Sequence, residues 1–157
     1  MSAPPIYCID TSSILEARTR TYPPAAFPTL WDRVEALIDA GRLLSPIEML
    51  TELERKDDET RKWARAKSGL FVPYSLRQIA TVTQILTTHP LLVDSSKGRS
   101  GGDPFLIALA LIEGYTLVTE EVATNSPKKP RIPDVCIVYK VPYITFLDLV
   151  IAEGWTF

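Results

Sequence analysis

Ile6-Tyr7-Cys8-Ile9-Asp10-Thr11-Ser12 is the stretch whose reading decides the fold. Four apolar residues in succession read as a short buried strand, and the strand ends on a carboxylate. In open α/β sheets the ligand site lies beyond the carboxyl ends of the strands. Asp10 therefore stands where chemistry is expected, provided that strands and helices alternate along the rest of the chain.

They do alternate. Pro23, Pro24 and Pro28 mark a loop. Leu30, Val34, Leu37 and Ile38 then recur at helical spacing, and Gly41 stands where a C-terminal cap is expected. Arg42-Leu43-Leu44 reads as a brief strand. Ser45, Pro46 and Glu48 form the pattern of a helix start with a capping box, and that helix carries Glu52. A charged helix from Asp57 to Lys67 is anchored by Trp63, and Leu70-Phe71-Val72 is a further short apolar segment. Ser75 and Gln78 form a second capping box ahead of Ile79, Val82, Ile85 and Leu86. A loop from Ser95 to Gly102 leads to Asp103-Pro104 and an apolar helix, Phe105 to Glu113, closed by Gly114. Tyr115 to Thr119 reads as a strand that delivers Glu120 and Glu121. A Pro- and Lys-rich loop, Ser126 to Pro133, precedes a last βα-like stretch, where Thr145 and Asp148 cap a helix from Phe146 to Glu153. Strands separated by helices predict an α/β domain with a mainly parallel sheet.

Composition narrows the class. The 157 residues suit one domain, taken as 1–157, and a hydrophobic share of 46% supports a sizeable core. The formal net charge of −2 excludes a strongly basic nucleic-acid coat, so any such contact uses a local patch. Cys8 and Cys136 both sit in apolar runs and read as two buried thiols in a reducing compartment rather than a disulfide. No apolar stretch approaches the roughly 20 residues needed to span a bilayer. Met1-Ser2-Ala3-Pro4-Pro5 has neither the basic nor the apolar region of a signal peptide. A cytoplasmic protein with no membrane partner is expected.

The acids carry the chemistry. Asp10 and the Glu120-Glu121 pair fall at strand ends, Asp103 opens a helix, and Glu52 lies about two turns into one. Such a set suits magnesium, a hard cation that prefers oxygen ligands and keeps several waters. His89 is the sole histidine. A zinc site, a Ser-His-Asp triad and histidine acid–base catalysis are therefore poorly supported.

Four motifs in order resemble those of PIN domains. Tyr7-Cys8-Ile9-Asp10-Thr11-Ser12 is similar to their opening strand, Asp and Thr/Ser. Ser45-Pro46 with Glu52 resembles the second acidic motif, and Asp103-Pro104-Phe105-Leu106-Ile107-Ala108-Leu109-Ala110 the third. Leu117-Val118-Thr119-Glu120-Glu121 resembles the fourth, a strand ending in Thr-x-Asp, with Glu in place of Asp. The likeness covers nearly the whole chain and extends to the VapC-like toxins of type II toxin–antitoxin systems. The segment Arg131-Ile132-Pro133-Asp134-Val135-Cys136 and the Trp63 helix resemble a PIN-like subfamily. The resemblance implies a three-layer α/β/α fold with a central, mainly parallel sheet. It also implies Mg2+ or Mn2+, held by Asp10, Glu52, Asp103 and Glu121, and cleavage of RNA. Glu120 is the neighbouring alternative to Glu121. Thr11 or Ser12 is expected to hold Asp10 by a hydrogen bond, and Thr119 and Asp134 are accessory candidates.

Simpler local roles compete with these. The capping box accounts for Glu48, which is why Glu52 is preferred. Asp103 before Pro104 is also what a helix N-cap looks like. Thr11, Ser12 and Thr119 have exposed turn hydroxyls as their default. Lys97 and Arg99, with Lys128, Lys129 and Arg131, offer a cationic edge for RNA phosphates, or else two solvated loops. Phe27, Trp31, Trp63 and Trp155 read as core or interface aromatics rather than stacking platforms.

The expected function is a metal-dependent endoribonuclease acting as a toxin, with an antitoxin partner and a plausible homodimer. A PIN nuclease of RNA processing and a catalytically silent PIN-like interaction domain are the rivals. A phosphatase of the haloacid-dehalogenase type wants a second Asp where Ser12 stands, and a dinucleotide-binding fold wants a glycine-rich loop after the first strand.

Overall fold

Tyr7 and Ile9 pack into one hydrophobic core, and Cys8 between them packs into a second. That alternation is the two-residue period of a strand, and it sets the architecture: a sheet covered on both faces. The computed structural model describes residues 3–53, 58–93 and 101–157.

Five strands form the sheet: β1 (Tyr7–Ile9), β2 (Leu43–Pro46), β3 (Phe71–Val72), β4 (Thr116–Val118) and β5 (Tyr143–Ile144). Their order is β3-β2-β1-β4-β5, and every pairing is parallel. Parallel neighbours need a crossover, and helices supply it. One face is covered by α1 (Thr11–Glu16), α2 (Pro28–Asp39), α3 (Leu50–Leu53), α4 (Asp58–Ala66) and α8 (Phe146–Ala152). The other is covered by α5 (Leu76–Thr88), α6 (Asp103–Glu113) and α7 (Ile132–Tyr139). The expected three-layer α/β/α arrangement is the one observed.

Local signals explain many of the element ends. Pro28 opens α2, and Gly41 follows it with φ +72°. Ser75 and Gln78 make their reciprocal capping bonds at 3.3 and 3.2 Å, and Thr145 and Asp148 make theirs at 3.1 Å each. Gly114 ends α6 in the left-handed conformation that a side chain would resist.

Two expected helix starts are corrected. Ser45 is not a cap. It donates from its backbone N to Leu70 O at 2.7 Å, and Ser45 and Pro46 pair with Phe71 and Val72, so β2 runs on through both. Pairing satisfies more backbone groups than one cap does. The chain then turns through a single 3-10 turn, Ile47–Met49, before α3. Asp103 is also one residue inside its helix: Gly102 is the N-cap, and Leu106 N donates to Gly102 O at 3.0 Å.

Two helical segments go beyond the elements read from the sequence. Ala17–Thr21 is a π-turn continuing α1, with Tyr22 N bonded to Ala17 O at 2.7 Å. On it, the Arg18 guanidinium sits 4.7 Å from the Trp31 ring and 4.5 Å from that of Trp63. α7 begins at Ile132, inside the expected Ser126–Pro133 loop. Trp31 is buried, and Phe27, Trp63 and Trp155 pack partly buried against the same core.

A partly buried ion pair closes the amino-terminal edge of the sheet. Arg42 reaches Glu153 with both terminal guanidinium nitrogens, at 2.8 and 2.6 Å, and Tyr7 Oη donates to the same carboxylate at 2.7 Å. Among the described residues no helix is long and apolar enough to cross a membrane.

Candidate active site

The strand order turns at β1: β2 lies on one side and β4 on the other. Such a switch point opens a crevice at the carboxyl edge. Asp10 follows β1 and Thr119 follows β4, so the two stand side by side there. Asp10 is only 2% exposed. Its backbone N donates to Val118 O at 2.9 Å, Ser12 N donates to its Oδ1 at 3.0 Å, and Thr119 Oγ1 donates to its Oδ2 at 3.0 Å. The carboxylate is held at both oxygens before any ligand arrives.

Thr119 is therefore not an exposed turn hydroxyl. It is buried, and besides donating to Asp10 it accepts from Glu121 N at 3.1 Å. One hydroxyl aligns the first and fourth acidic motifs. Thr11 does something other than expected: its Oγ1 donates to Met49 O at 3.3 Å, tying α1 to the turn after β2. It is the backbone of Ser12, with Thr119, that holds Asp10.

Glu120 and Glu121 diverge. Glu120 is exposed and accepts from Phe146 N at 2.8 Å, at the start of α8. Glu121 is half-buried and accepts from Ile132 N at 3.4 Å, at the start of α7. Each carboxylate thus meets the partially positive end of a helix. Beside them opens a cleft of about 380 Å3 lined by Ser12, Glu16, Glu120, Glu121, Val122 and Arg131.

The other acids come from the neighbouring elements. A crossover helix starts at the carboxyl edge of the sheet and runs back, so Asp103, first residue of α6, lies at that edge and is 8% exposed. Glu52 is half-buried on α3. With Ser45 in β2, the capping role that the sequence pattern offers Glu48 does not exist. Both its carboxylate oxygens are closed off from solvent, and among the described residues they accept from no other residue. Burial pushes its carboxyl above the ordinary range, opposed in part by its own backbone N–H. No signal in the sequence marks it, because the capping pattern gives it a sufficient local explanation.

Asp134 has a structural role. Arg131 N and Thr124 N donate to its Oδ2 at 2.7 and 3.1 Å, Thr124 Oγ1 at 3.1 Å, and Asn125 N to its Oδ1 at 2.8 Å. Burial alone would raise its carboxyl; the bonds from Arg131, Thr124 and Asn125 outweigh that and hold it below the usual range. It braces the loop that presents Lys128, Lys129 and Arg131, all exposed. Lys97 and Arg99 lie outside the described residues.

The donors at this edge are oxygens, which suits a hard divalent cation, and a sealed, unpartnered carboxylate such as Glu48 is what a cation would relieve. The side chains do not yet close on one point: among the described residues no three Asp, Glu, His or Cys side chains stand close enough together to hold a metal ion.

The model of the family described as "Domain of unknown function (DUF4411)" matches residues 7–157. The chain belongs to the DUF4411 family. No curated protein matches it. Solved structures do. FitAcB from Neisseria gonorrhoeae is similar over 88% of this DUF4411 chain and 96% of its own, at 14% identity and a TM-score of 0.50. VapBC2 from Rickettsia felis, bound to a DNA fragment from their promoter, is similar over 80% of this chain and 96% of its own, at 18% identity and a TM-score of 0.49. This DUF4411 chain shares its three-layer α/β/α fold with the FitAcB structure. Matches at such identity speak for fold, so the chemistry of the DUF4411 domain is argued from its own residues.

Proposed function

We propose that this chain is a metal-dependent endoribonuclease of the PIN type and the toxin of a toxin–antitoxin pair. The observation that carries the reading is Asp10: a buried carboxylate at the sheet's switch point, fixed at both oxygens by Ser12 N and Thr119 Oγ1. The bond from Ser12 N is also the N-cap of α1; the one from Thr119 Oγ1 goes beyond what a cap needs, and a ligand gains from such preorganisation.

Asp10, Glu52, Asp103 and Glu121 are the residues that would hold Mg2+ or Mn2+. The bound ion supplies Lewis acidity at a phosphoryl oxygen and lowers the pKa of a water. The chain's own residues do the rest. Thr119 and Ser12 keep the Asp10 carboxylate aimed along the carboxyl edge. Thr119 also sets the backbone of Glu121. Arg131, in the cleft beside Glu121, offers a guanidinium fork to a phosphate, and Lys128 and Lys129 extend that cationic edge along the loop braced by Asp134. An antitoxin segment covering the cleft, and pairing of two copies of the chain, follow from the likeness of the four motifs to VapC-like toxins.

Purified protein with labelled RNA tests the reading. Cleavage should need Mg2+ or Mn2+, stop in EDTA, and vanish in Asp10→Asn and Asp103→Asn without loss of the fold. Metal-independent cleavage, or full activity in both variants, would sink it. The second reading is a catalytically silent PIN-like interaction domain, favoured by the absence of any three converging metal-binding side chains among the described residues. No cleavage under any metal, with retained binding of a protein partner, would select it.

A further inference from the structure

The segment 121–131 has two sides. Glu121, Val122 and Arg131 line the cleft beside the acids. Asn125, Ser126, Pro127 and Pro130 line a second cavity, of about 330 Å3, which α7 and the end of α5 close on its other side. Pro130 and Arg131 are consecutive, so cavity and cleft meet at adjoining residues. Lys128 and Lys129 stand exposed on the same segment.

The lining suits a flat, uncharged group with polar edges. Pro90, Pro127, Pro130, Ile137 and Val138 supply apolar walls. Thr88, His89, Asn125 and Ser126 supply polar groups. Among the described residues no Lys or Arg lines the cavity, so it is not built for a phosphate. The carboxylate in its wall, Asp134, is occupied by bonds from Arg131, Thr124 and Asn125.

Two of the polar groups are held in place. Thr88 Oγ1 lies 2.8 Å from His89 Nδ1 and 2.8 Å from Tyr139 Oη, and the His89 and Tyr139 rings are 6.2 Å apart. The imidazole is fixed through Nδ1, and Nε2 is the nitrogen that can meet a ligand. Asn125 has φ +58°, and its backbone N donates to Asp134 Oδ1 at 2.8 Å. Glycine suits that left-handed backbone best; asparagine tolerates it and brings both a donor and an acceptor.

A nucleobase matches these groups. Single-stranded RNA is read by splaying bases out, stacking them on side-chain rings and bonding their edges. Charge favours the same occupant, because Lys128, Lys129 and Arg131 attract a polyanion to the segment that parts cavity from cleft. An apolar side chain of a protein partner would leave His89 and Asn125 unanswered.

We infer that this cavity takes one base of the RNA strand whose phosphates meet Lys128, Lys129 and Arg131, and that Asn125 and His89 read its edge. The inference rests on the ribonuclease reading above and gives that cleft a sequence preference.

RNA binding in EDTA, followed by fluorescence anisotropy, tests it without cleavage. Labelled single strands of A, C or U, a U strand carrying guanines, and a base-free strand of equal length are compared. The proteins are wild type, Asn125→Gly and Val138→Trp. Asn125→Gly keeps the backbone conformation and removes the amide, while Val138→Trp fills the cavity from an exposed position. Wild type should prefer one base over the base-free strand by about fivefold or more, the worth of one stacked base. Both variants should lose that preference. Lys128→Ala should instead weaken every strand alike and flatten the salt dependence. Wild-type binding that ignores the base, or a preference kept in either cavity variant, overturns the base site and leaves the RNA reading standing. An equal loss for all strands in the cavity variants marks a disturbed loop and also overturns the base site. No RNA binding by wild type, in EDTA or with Ca2+ in place of Mg2+, overturns both.

Discussion

Thr119 Oγ1 donates to Asp10 Oδ2 at 3.0 Å, across the line where the sheet changes direction. The bond joins the ends of β1 and β4, and the same hydroxyl accepts from Glu121 N. Thr119→Val keeps the shape and removes the hydroxyl. A hydrogen bond to a charged group contributes about 1.5–3 kcal/mol, so urea unfolding should show a loss of about 2 kcal/mol. RNA cleavage should fall more steeply in Thr119→Val than in Thr119→Ser, which keeps the donor. Equal activity in the two variants would remove Thr119 from the positioning of Asp10.

The opposite edge of the sheet makes a prediction about pH. Burial alone would raise the Glu153 carboxyl; bonds from Arg42 and Tyr7 outweigh it and hold Glu153 below its ordinary value of 4.5. A carboxyl depressed in the fold stabilises it above the ordinary value, and that contribution is lost as pH falls through the folded value. Glu153→Gln should therefore cost about 2 kcal/mol at neutral pH, the range for charged hydrogen bonds. The gap from wild type should narrow below pH 4.5. Parallel melting curves of the two proteins across that range provide the check, and a gap that stays constant with pH would contradict it.

Asp134→Ala should act on substrate binding more than on chemistry. Its carboxylate accepts from Arg131, Thr124 and Asn125 and so braces the segment bearing Lys128, Lys129 and Arg131. Removing it should raise KM for RNA several-fold, with a smaller change in kcat. A fall in kcat alone would make Asp134 part of the reacting centre.

Both thiols should be inert in the native protein. Cys8 and Cys136 are fully buried and unlinked. Burial, and after it the neighbouring Cys136, push the Cys8 thiol well above its ordinary range. Burial, and after it the charge of Glu121, push Cys136 up to about 12. Thiolate is the reactive form, so a disulfide-exchange reagent should label neither cysteine in buffer and both in denaturant. Rapid native labelling of either would show that its core opens.

Elements whose determinants lie within a few residues of one another were legible in the chain alone. The apolar run Tyr7–Ile9 is a strand because its own side chains demand burial on both faces. Ser75 with Gln78, Thr145 with Asp148, and Gly114 define helix ends through bonds and dihedrals local to them. The strand–helix alternation then left a parallel three-layer sheet as the natural packing, with Asp10 at its carboxyl edge. The tertiary structure decided the rest, because the competing partners lie far along the chain. Ser45 and Glu48 carry a sound capping pattern, yet pairing with Phe71 draws Ser45 into β2 and leaves the Glu48 carboxylate oxygens closed off from solvent, with no donor from another described residue. Thr119 reads as an ordinary turn residue until β4 is laid beside β1, when its hydroxyl becomes the clamp on Asp10.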